Sequence, residues 1–213
     1  ELKTPIFSLQ GYVDTLLNGA INDSENNVKF LEKIKKQSDR IQNLVNDIVK
    51  ISMLESKDLK LSFQNVPLND FLHEIEETFK PALQKRNSNL VFPKNLGSSM
   101  LCNKENLIVV FENLITNAIN YSNHGDITII VKEKENKMID FRIIDHGIGI
   151  DEKSIDRIFE RFYRVDTDRS RKTGGTGLGL AIVKHILLAH NSSIKVSSKV
   201  GVGTAFSFSI KKS

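Results

Sequence analysis

Apolar residues recur at helical spacing through the first quarter of the chain. One stripe covers residues 6–17 and ends at an Asn-Gly pair, and a longer stripe covers residues 30–51. Either Asp23 or Ser24 in the intervening polar loop can cap the second helix. The pattern therefore predicts two amphipathic helices joined by a short loop, that is, a helical hairpin.

The predicted hairpin has a long apolar seam and no third layer in its own sequence to cover that seam. Pairing with a second copy as a four-helix bundle would bury the apolar residues, so we expect a homodimer formed through the hairpin. The alternative is that the hairpin packs on the remainder of its own chain.

The helical pattern stops near residues 55–59, and residues 59–63 alternate like a strand. We therefore expect a domain boundary here, with a helical hairpin over residues 1–57 and a second domain over 58–213. Helical and strand patterns mix in the second domain, which predicts an α+β sandwich with one mixed sheet and helices on one face. The predicted helices cover about 69–83, 103–121 and 178–189; the strands cover 89–92, 127–132, 138–145, 193–198 and 204–210; and 147–177 forms a loop or lid.

Composition narrows the functional classes. The 30 basic and 26 acidic residues nearly balance, leaving a net charge of +4, which argues against nucleic-acid binding. A basic stretch at 164–172 lies between two glycine runs, where attraction for nucleotide phosphates is the simpler explanation. The lone Cys102 favours a reducing, cytoplasmic setting, and no apolar run approaches the roughly 20 residues that span a bilayer. The chain begins at Glu1 within an apolar pattern, so we expect a fragment of a longer protein.

Candidate chemistry is concentrated in the second half of the chain. Asn113 and Asn117 stand four residues apart in a predicted helix, so their amide side chains share one face and can reach one metal ion or phosphate. Asp145 ends a strand, where its carboxylate can accept a hydrogen bond from an exocyclic amine such as that of adenine. A glycine run at 174–179 leads into a helix, whose free backbone amides can cradle phosphate oxygens. A dinucleotide-binding βαβ unit is the competing interpretation, but no buried strand precedes the run.

In this order, these segments resemble the N, G1 and G2 boxes of the two-component sensor histidine kinases. Residues 158–164, which include Phe159 and Phe162, resemble the F box of that family. The resemblance covers the whole second half of the chain, and it is closest to the phosphate-sensor type. It implies a Bergerat-type ATP-binding domain that uses ATP and Mg²⁺.

The resemblance also assigns roles to individual residues. It implies that Asn117 is the magnesium ligand, with Asn113 one helical turn earlier, and that Asp145 reads the adenine base. Asn120 departs from the family, which often has lysine there, so Arg164, with Arg161 as a second candidate, would supply positive charge from the lid instead. The full set of residues implied to bind ATP is Asn113, Asn117, Tyr121, Asp145, Gly147, Gly149, Arg164, Gly175, Thr176, Gly177, Leu178, Gly179, Leu180 and Thr204.

The start of the chain, Glu1-Leu2-Lys3-Thr4-Pro5, resembles the family's H box without its first residue. The phosphate-accepting histidine would immediately precede Glu1. By resemblance, Glu1 is the base that takes the proton of the imidazole, and Thr4 orients water for dephosphorylation of the partner. The implied reaction is transfer of the ATP γ-phosphoryl group to histidine and then to an aspartate in the receiver domain of a response regulator.

Two other classes stay open at this point. A hydrolytic ATPase of the gyrase, MutL or chaperone type shares the glycine boxes, and a non-catalytic regulator would bind nucleotide and dock a partner on the hairpin. The short lid and the H-box remnant argue against the first alternative, and the intact nucleotide boxes argue against the second. Any membrane attachment is expected only through upstream segments.

Overall fold

The computed structural model describes residues 2–56, 61–122, 125–165 and 175–213. The chain begins with the predicted helical hairpin: α1 covers Lys3–Leu17, a short 3₁₀ turn covers Ala20–Asn22, and α2 covers Asn27–Glu55. Helix α1 ends before Gly19, whose φ of 118° only glycine adopts readily. The two stripes of apolar residues are buried only in part, since Leu16 and Leu44 are buried whereas Phe7 and Leu17 are exposed.

Strands and helices alternate in the second domain. Their bounds, in chain order, are β1 Gln64–Pro67, α3 Leu68–Gln84, β2 Leu90–Val91, β3 Ser99–Cys102, α4 Lys104–Tyr121, β4 Ile127–Glu133, β5 Met138–Asp145, α5 Glu152–Ile155, α6 Gly179–Ala189, β6 Lys195–Lys199 and β7 Gly203–Lys211.

Five strands form one mixed sheet in the order β2-β4-β5-β7-β6. The β2-β4 pair is parallel and the other three pairs are antiparallel. Strand β5 lies at the centre, and its alternate residues Ile139, Phe141 and Ile143 are buried while Arg142 is exposed. This alternation places one face of the sheet against the helices. The expected α+β sandwich is confirmed.

The core between sheet and helices is built around four phenylalanine rings. Phe111 of α4 packs edge-to-face on Phe71, Phe141 and Phe208, with ring centroids 5.1, 5.4 and 5.7 Å apart. Such contacts combine a large buried area with a favourable edge-to-face geometry. Phe111 is fully buried, so α4 is fixed both to α3 and to the sheet.

A second contact joins the N-terminal end of α4 to the C-terminal end of α6. Nε2 of buried His190 accepts a hydrogen bond from the backbone amide of Asn103 at 3.1 Å, and Nδ1 lies 2.8 Å from the carbonyl of Ile186. Since the carbonyl can only accept, the ring is neutral and carries its proton on Nδ1. Burial lowers the pKa of His190, and the hydrogen bonds to Ile186 and Asn103 oppose that shift.

Several expected boundaries were wrong. Residues 61–63 lie outside any strand, β1 begins at Gln64, and residues 57–60 lie outside the described part of the chain. Strand β3 was not predicted; it pairs antiparallel with β1 to form a separate two-stranded sheet. Asn26, not Asp23 or Ser24, precedes the first residue of α2. Asp23 instead organises the turn before it, because its carboxylate accepts hydrogen bonds from Glu25 and Asn26.

Candidate functional site

A cleft of about 240 Å³ opens between α4, the end of β5, and the N-terminus of α6. It gathers most of the residues that the sequence singled out. Its lining includes Asn113, Asn117, Tyr121, Asp145, Gly149, Arg164, Gly175, Thr176, Gly177, Gly179, Leu180 and Thr204. Segments that are far apart in the sequence therefore line a single cleft.

Helix α4 presents the asparagine pair to this cleft. Nδ2 of Asn113 donates a hydrogen bond to the carbonyl of Val109, 2.9 Å away, within the same helix. That bond leaves the Asn113 amide oxygen facing Gly179, the first residue of α6, where an added Cβ would collide with it. Asn113 thus sits against the end of the glycine run, and Asn117 lies one turn further along the cleft.

Asp145 ends β5 at the opposite wall of the cleft and is only 8% exposed. Its Oδ1 accepts hydrogen bonds from the backbone amides of Gly147 at 2.8 Å and Thr204 at 3.2 Å. Burial raises the pKa of the Asp145 carboxyl, while the two amides and the nearby His146 oppose the shift. Two bonds to one oxygen fix the carboxylate plane, so Oδ2 has a defined direction for accepting a hydrogen bond from a ligand.

Thr204 and Gly149 complete this wall. The Thr204 hydroxyl lies 2.8 Å from the Ser198 hydroxyl, which links β7 to β6 beside the aspartate. Gly149 has a φ of 72°, and an added Cβ would overlap the carbonyl of Lys199. Only glycine fits here, because both the backbone conformation and the close approach of a second chain segment exclude a side chain.

The second glycine run is attached to an earlier part of the same 147–177 segment. The amide of Phe162 donates to the carbonyl of Gly177 at 2.9 Å. The Thr176 hydroxyl accepts from the amide of Leu178 at 3.2 Å, which shapes the turn into α6. The run therefore presents a curved backbone at the helix N-terminus, in the position that suits a phosphate group.

Three of the predicted residues do not line the cleft. Gly147 supports it from behind, next to Tyr121 and Asp145, and the side chain of Leu178 is fully buried in the core. Thr4 lies in the first turn of α1. Glu1 and Gly174 fall outside the described residues, as do 166–173 of the expected lid.

The cleft also has an apolar portion that the motifs did not reveal. Ile148, Ile150, Ile158, Val165 and Phe206 line it, together with Tyr163, whose hydroxyl donates to Ser154 at 3.0 Å. Ile158 and Tyr163 belong to the segment that resembles the F box, but none of the six was singled out as a binding residue, and they come from four separate segments. Only the folded chain shows that they form one surface, which suits a flat aromatic base.

Two family models match the chain. The model described as histidine kinase-, DNA gyrase B- and HSP90-like ATPase matches residues 102–213, and the model described as His Kinase A (phospho-acceptor) domain matches residues 1–57. This chain belongs to the family of two-component sensor histidine kinases. Sequence alone had suggested the family, and the two domain matches fall in the expected order.

Relatives agree with this placement. The chain is 35% identical over 210 residues to the sensor-like histidine kinase SenX3 of Mycolicibacterium smegmatis, covering 99% of this chain and 54% of that protein. The chain thus spans about half the length of this curated relative.

Solved structures share the fold. The Acinetobacter baumannii histidine kinase AdeS matches with a TM-score of 0.79 and 25% identity over 99% of this chain and 96% of that one. Histidine kinase ThkA, solved in complex with the response regulator protein TrrA, matches with a TM-score of 0.80 and 23% identity over 100% of this chain and 59% of that one.

Two kinds of feature are absent from the described residues. No helix there is long and apolar enough to cross a bilayer. Within the same ranges, no group of three or more His, Cys, Asp or Glu side chains could hold a metal ion.

Proposed function

We propose that the cleft binds ATP and that the whole protein transfers the γ-phosphoryl group to a histidine and then to an aspartate of a response regulator. One observation carries this proposal: Asp145, Asn117 and the glycine run line a single cleft at three different positions. The cleft therefore combines three functions. Asp145 accepts a hydrogen bond from the base amine, Asn117 offers an amide to the metal or the phosphates, and the glycine run forms a phosphate cradle.

Each part of ATP has a candidate partner. Asp145 Oδ2 accepts from the adenine amine, and the apolar residues around Phe206 contact the base. The backbone of 175–177 and Gly179, together with Arg164, lines the part of the cleft that would take the phosphates. Tyr121 lies beside Asn117 at the end of α4 and supports the same end of the ligand.

The residues present fit a magnesium ion. Asn117 offers a neutral oxygen within the cleft, and Mg²⁺ usually takes one or two protein oxygens together with phosphate oxygens and water. Asn117 would hold the ion, and Asn113, whose oxygen faces Gly179, would support that arrangement. The ion would neutralise charge on the phosphates, while the chain itself supplies position and orientation.

We propose that the acceptor is a histidine immediately before Glu1 in the whole protein. Its ring nitrogen would form a bond to the γ-phosphorus as the bond from that phosphorus to the β-γ bridging oxygen breaks, which releases ADP. Glu1 would take the ring proton, and Thr4, in the first turn of α1, would orient the water that hydrolyses the aspartyl phosphate of the response regulator. Asp145 and the cleft would belong to a domain over 58–213, and the acceptor to a hairpin over 1–57.

The hairpin supports a homodimer. Its exposed apolar side chains include Phe7 at 67%, Leu17 at 74% and Met53 at 64% exposure. A four-helix bundle with a second copy would bury this surface. The same hairpin would present the phosphohistidine to the receiver domain, in keeping with the ThkA structure, which was solved in complex with a response regulator. We place this core in the cytoplasm, where ATP and response regulators are available.

The test is autophosphorylation of the whole protein with Mg-ATP, read as protein-bound phosphate that survives base and is lost in acid. We expect phosphate in the wild type, none when the residue before Glu1 is replaced, and little in Asn117→Asp. Asn136→Asp is the matched control, since Asn136 lies in an exposed turn between β4 and β5.

Other outcomes would overturn the proposal. Nucleotide binding with steady release of phosphate and no phosphoprotein would favour the gyrase-like ATPase. Nucleotide binding with neither phosphate release nor phosphoprotein would favour the regulatory module.

A further inference from the structure

Helix α2 of the hairpin reaches into the glycine run of the cleft. The Thr176 hydroxyl donates a hydrogen bond to Oδ2 of Asp47, with 2.8 Å between the oxygens. The carboxylate is half-buried, and burial raises its pKa while Thr176 and Lys50 oppose that shift. A charged group withdrawn from water in this way needs a defined partner, and here the partner is a residue that lines the cleft.

Packing on both sides holds this contact in place. Leu44 and Ile51, about one turn before and after Asp47, are 1% and 2% exposed and belong to the same hydrophobic core as α6. Further along α2, Glu55 forms ion pairs with Arg161 and with His185, whose Nε2 lies 3.3 Å from the carboxylate. Helix α2 is therefore docked on the cleft domain by apolar and polar contacts together.

The only hydrogen of the Thr176 hydroxyl is already used in a hydrogen bond in this arrangement. A hydroxyl donates one hydrogen bond, and Thr176 gives that bond to Asp47. It also accepts from the amide of Leu178, so this amide of the run is engaged as well. A phosphate oxygen that approached Thr176 would need the same proton and would lie close to a negative carboxylate.

We propose that Asp47 competes with nucleotide phosphates for Thr176, so that docking of α2 on the glycine run and binding of ATP oppose each other. The inference rests on the proposed binding of ATP in this cleft. Because coupling between two equilibria is reciprocal, ATP weakens the docking by the same factor as docking weakens ATP binding. The hairpin thus holds the nucleotide domain in an arrangement that ATP loosens.

The experiment compares Asp47→Asn with wild type by titration calorimetry with ATP and with adenosine. The asparagine has the same shape and lacks the charge, so we expect ATP to bind about threefold to tenfold more tightly, in line with a hydrogen bond and a like-charge contact removed. Adenosine has no phosphates and should bind equally to both proteins. Asp39→Asn removes one negative charge from an exposed position of the same helix and should leave both affinities unchanged.

A double-mutant cycle ties the effect to Thr176. In a Thr176→Val background, Asp47→Asn should gain much less, because the contested hydroxyl is absent and only the like-charge contact is removed. Hydrogen exchange across 47–55 of α2 should rise in wild type on addition of Mg-ATP, and it should already be raised in Asp47→Asn without nucleotide.

Failure of this inference and failure of the proposed function give different results. Unchanged or weaker ATP binding by Asp47→Asn, or an equal gain for adenosine, overturns the competition while leaving the ATP site intact. Absence of any ATP binding by wild type, or ATP binding that Asp145→Asn does not weaken, overturns the proposed site itself.

Discussion

Gly149 and Gly201 have similar backbone conformations but different surroundings. Comparing their alanine variants therefore distinguishes the cost of a left-handed backbone from the cost of steric crowding. Gly149 and Gly201 have φ values of 72° and 77°, but an added Cβ meets nothing within 4 Å at Gly201. At Gly149 the same atom would overlap the carbonyl of Lys199 and lie 2.9 Å from the Cα of Val200. We therefore expect Gly149→Ala to be far more damaging than Gly201→Ala.

The magnitudes follow from these surroundings. Alanine in the left-handed region costs about 1–2 kcal/mol, and lower entropy of the unfolded chain returns about 0.4–1 kcal/mol, so Gly201→Ala should destabilise by about 0.5–1 kcal/mol. Gly149→Ala adds an overpacking cost of about 1–3 kcal/mol, because the obstacle is backbone and cannot rotate away. A total of about 1.5–4 kcal/mol is expected.

Displacing Lys199 has a further consequence. Its carbonyl accepts a hydrogen bond from the amide of Val202 at 3.0 Å, which closes the turn between β6 and β7. Gly149 also lines the cleft, so Gly149→Ala should weaken ATP binding as well, whereas Gly201 lies outside the lining.

Urea unfolding of both variants, followed by circular dichroism, gives the two free energies, and calorimetry with ATP gives the affinities. Equal losses of stability in the two variants would refute the crowding argument. If Gly149→Ala is destabilised but binds ATP as tightly as wild type, the turn at Gly149 does not contribute to nucleotide binding.

Three further predictions follow from buried side chains. The pKa of His190 is lower in the folded protein than in the unfolded chain, so the unfolded chain takes up a proton first as the pH falls. The contribution of His190 to the free energy of unfolding is therefore fully present above about pH 6.5. Below that pH it is lost, by at most about 1.4 kcal/mol per pH unit. His190→Gln should flatten this slope in urea unfolding at several pH values, and an unchanged slope would contradict the assignment. Burial raises the pKa of Cys102 to about 11, so its thiol should react with an aromatic disulfide reagent at pH 7 only after unfolding, and rapid labelling of the folded protein would be inconsistent with this. Phe111→Ala should cost about 3–5 kcal/mol in the same unfolding assay, because three neighbouring rings lose their partner; a loss under about 1 kcal/mol would show that the core repacks.

Local pattern was sufficient for the long regular elements. The strand over Met138–Asp145 was predicted at the residues observed. Helix α4 begins one residue after its predicted start at Asn103, which is its N-cap, because the Asn103 side chain accepts a hydrogen bond from the amide of Asn106. Strong periodicity and a capping residue identify such elements without long-range information. Strand β3 was missed because its four residues form a strand only through pairing with β1.

The candidate site likewise has one part that local sequence features predict and another that only the folded chain reveals. Asparagines four apart in a helix, an aspartate at a strand end and glycines before a helix are local features, and from them the sequence by itself determined the family and most of the cleft residues. Only the tertiary structure decided that Phe206 and Ile158 share the cleft and that Asp47 reaches Thr176. Those contacts join segments far apart in the chain, and their partners follow from how helices pack on the sheet and on each other, which no local spacing encodes.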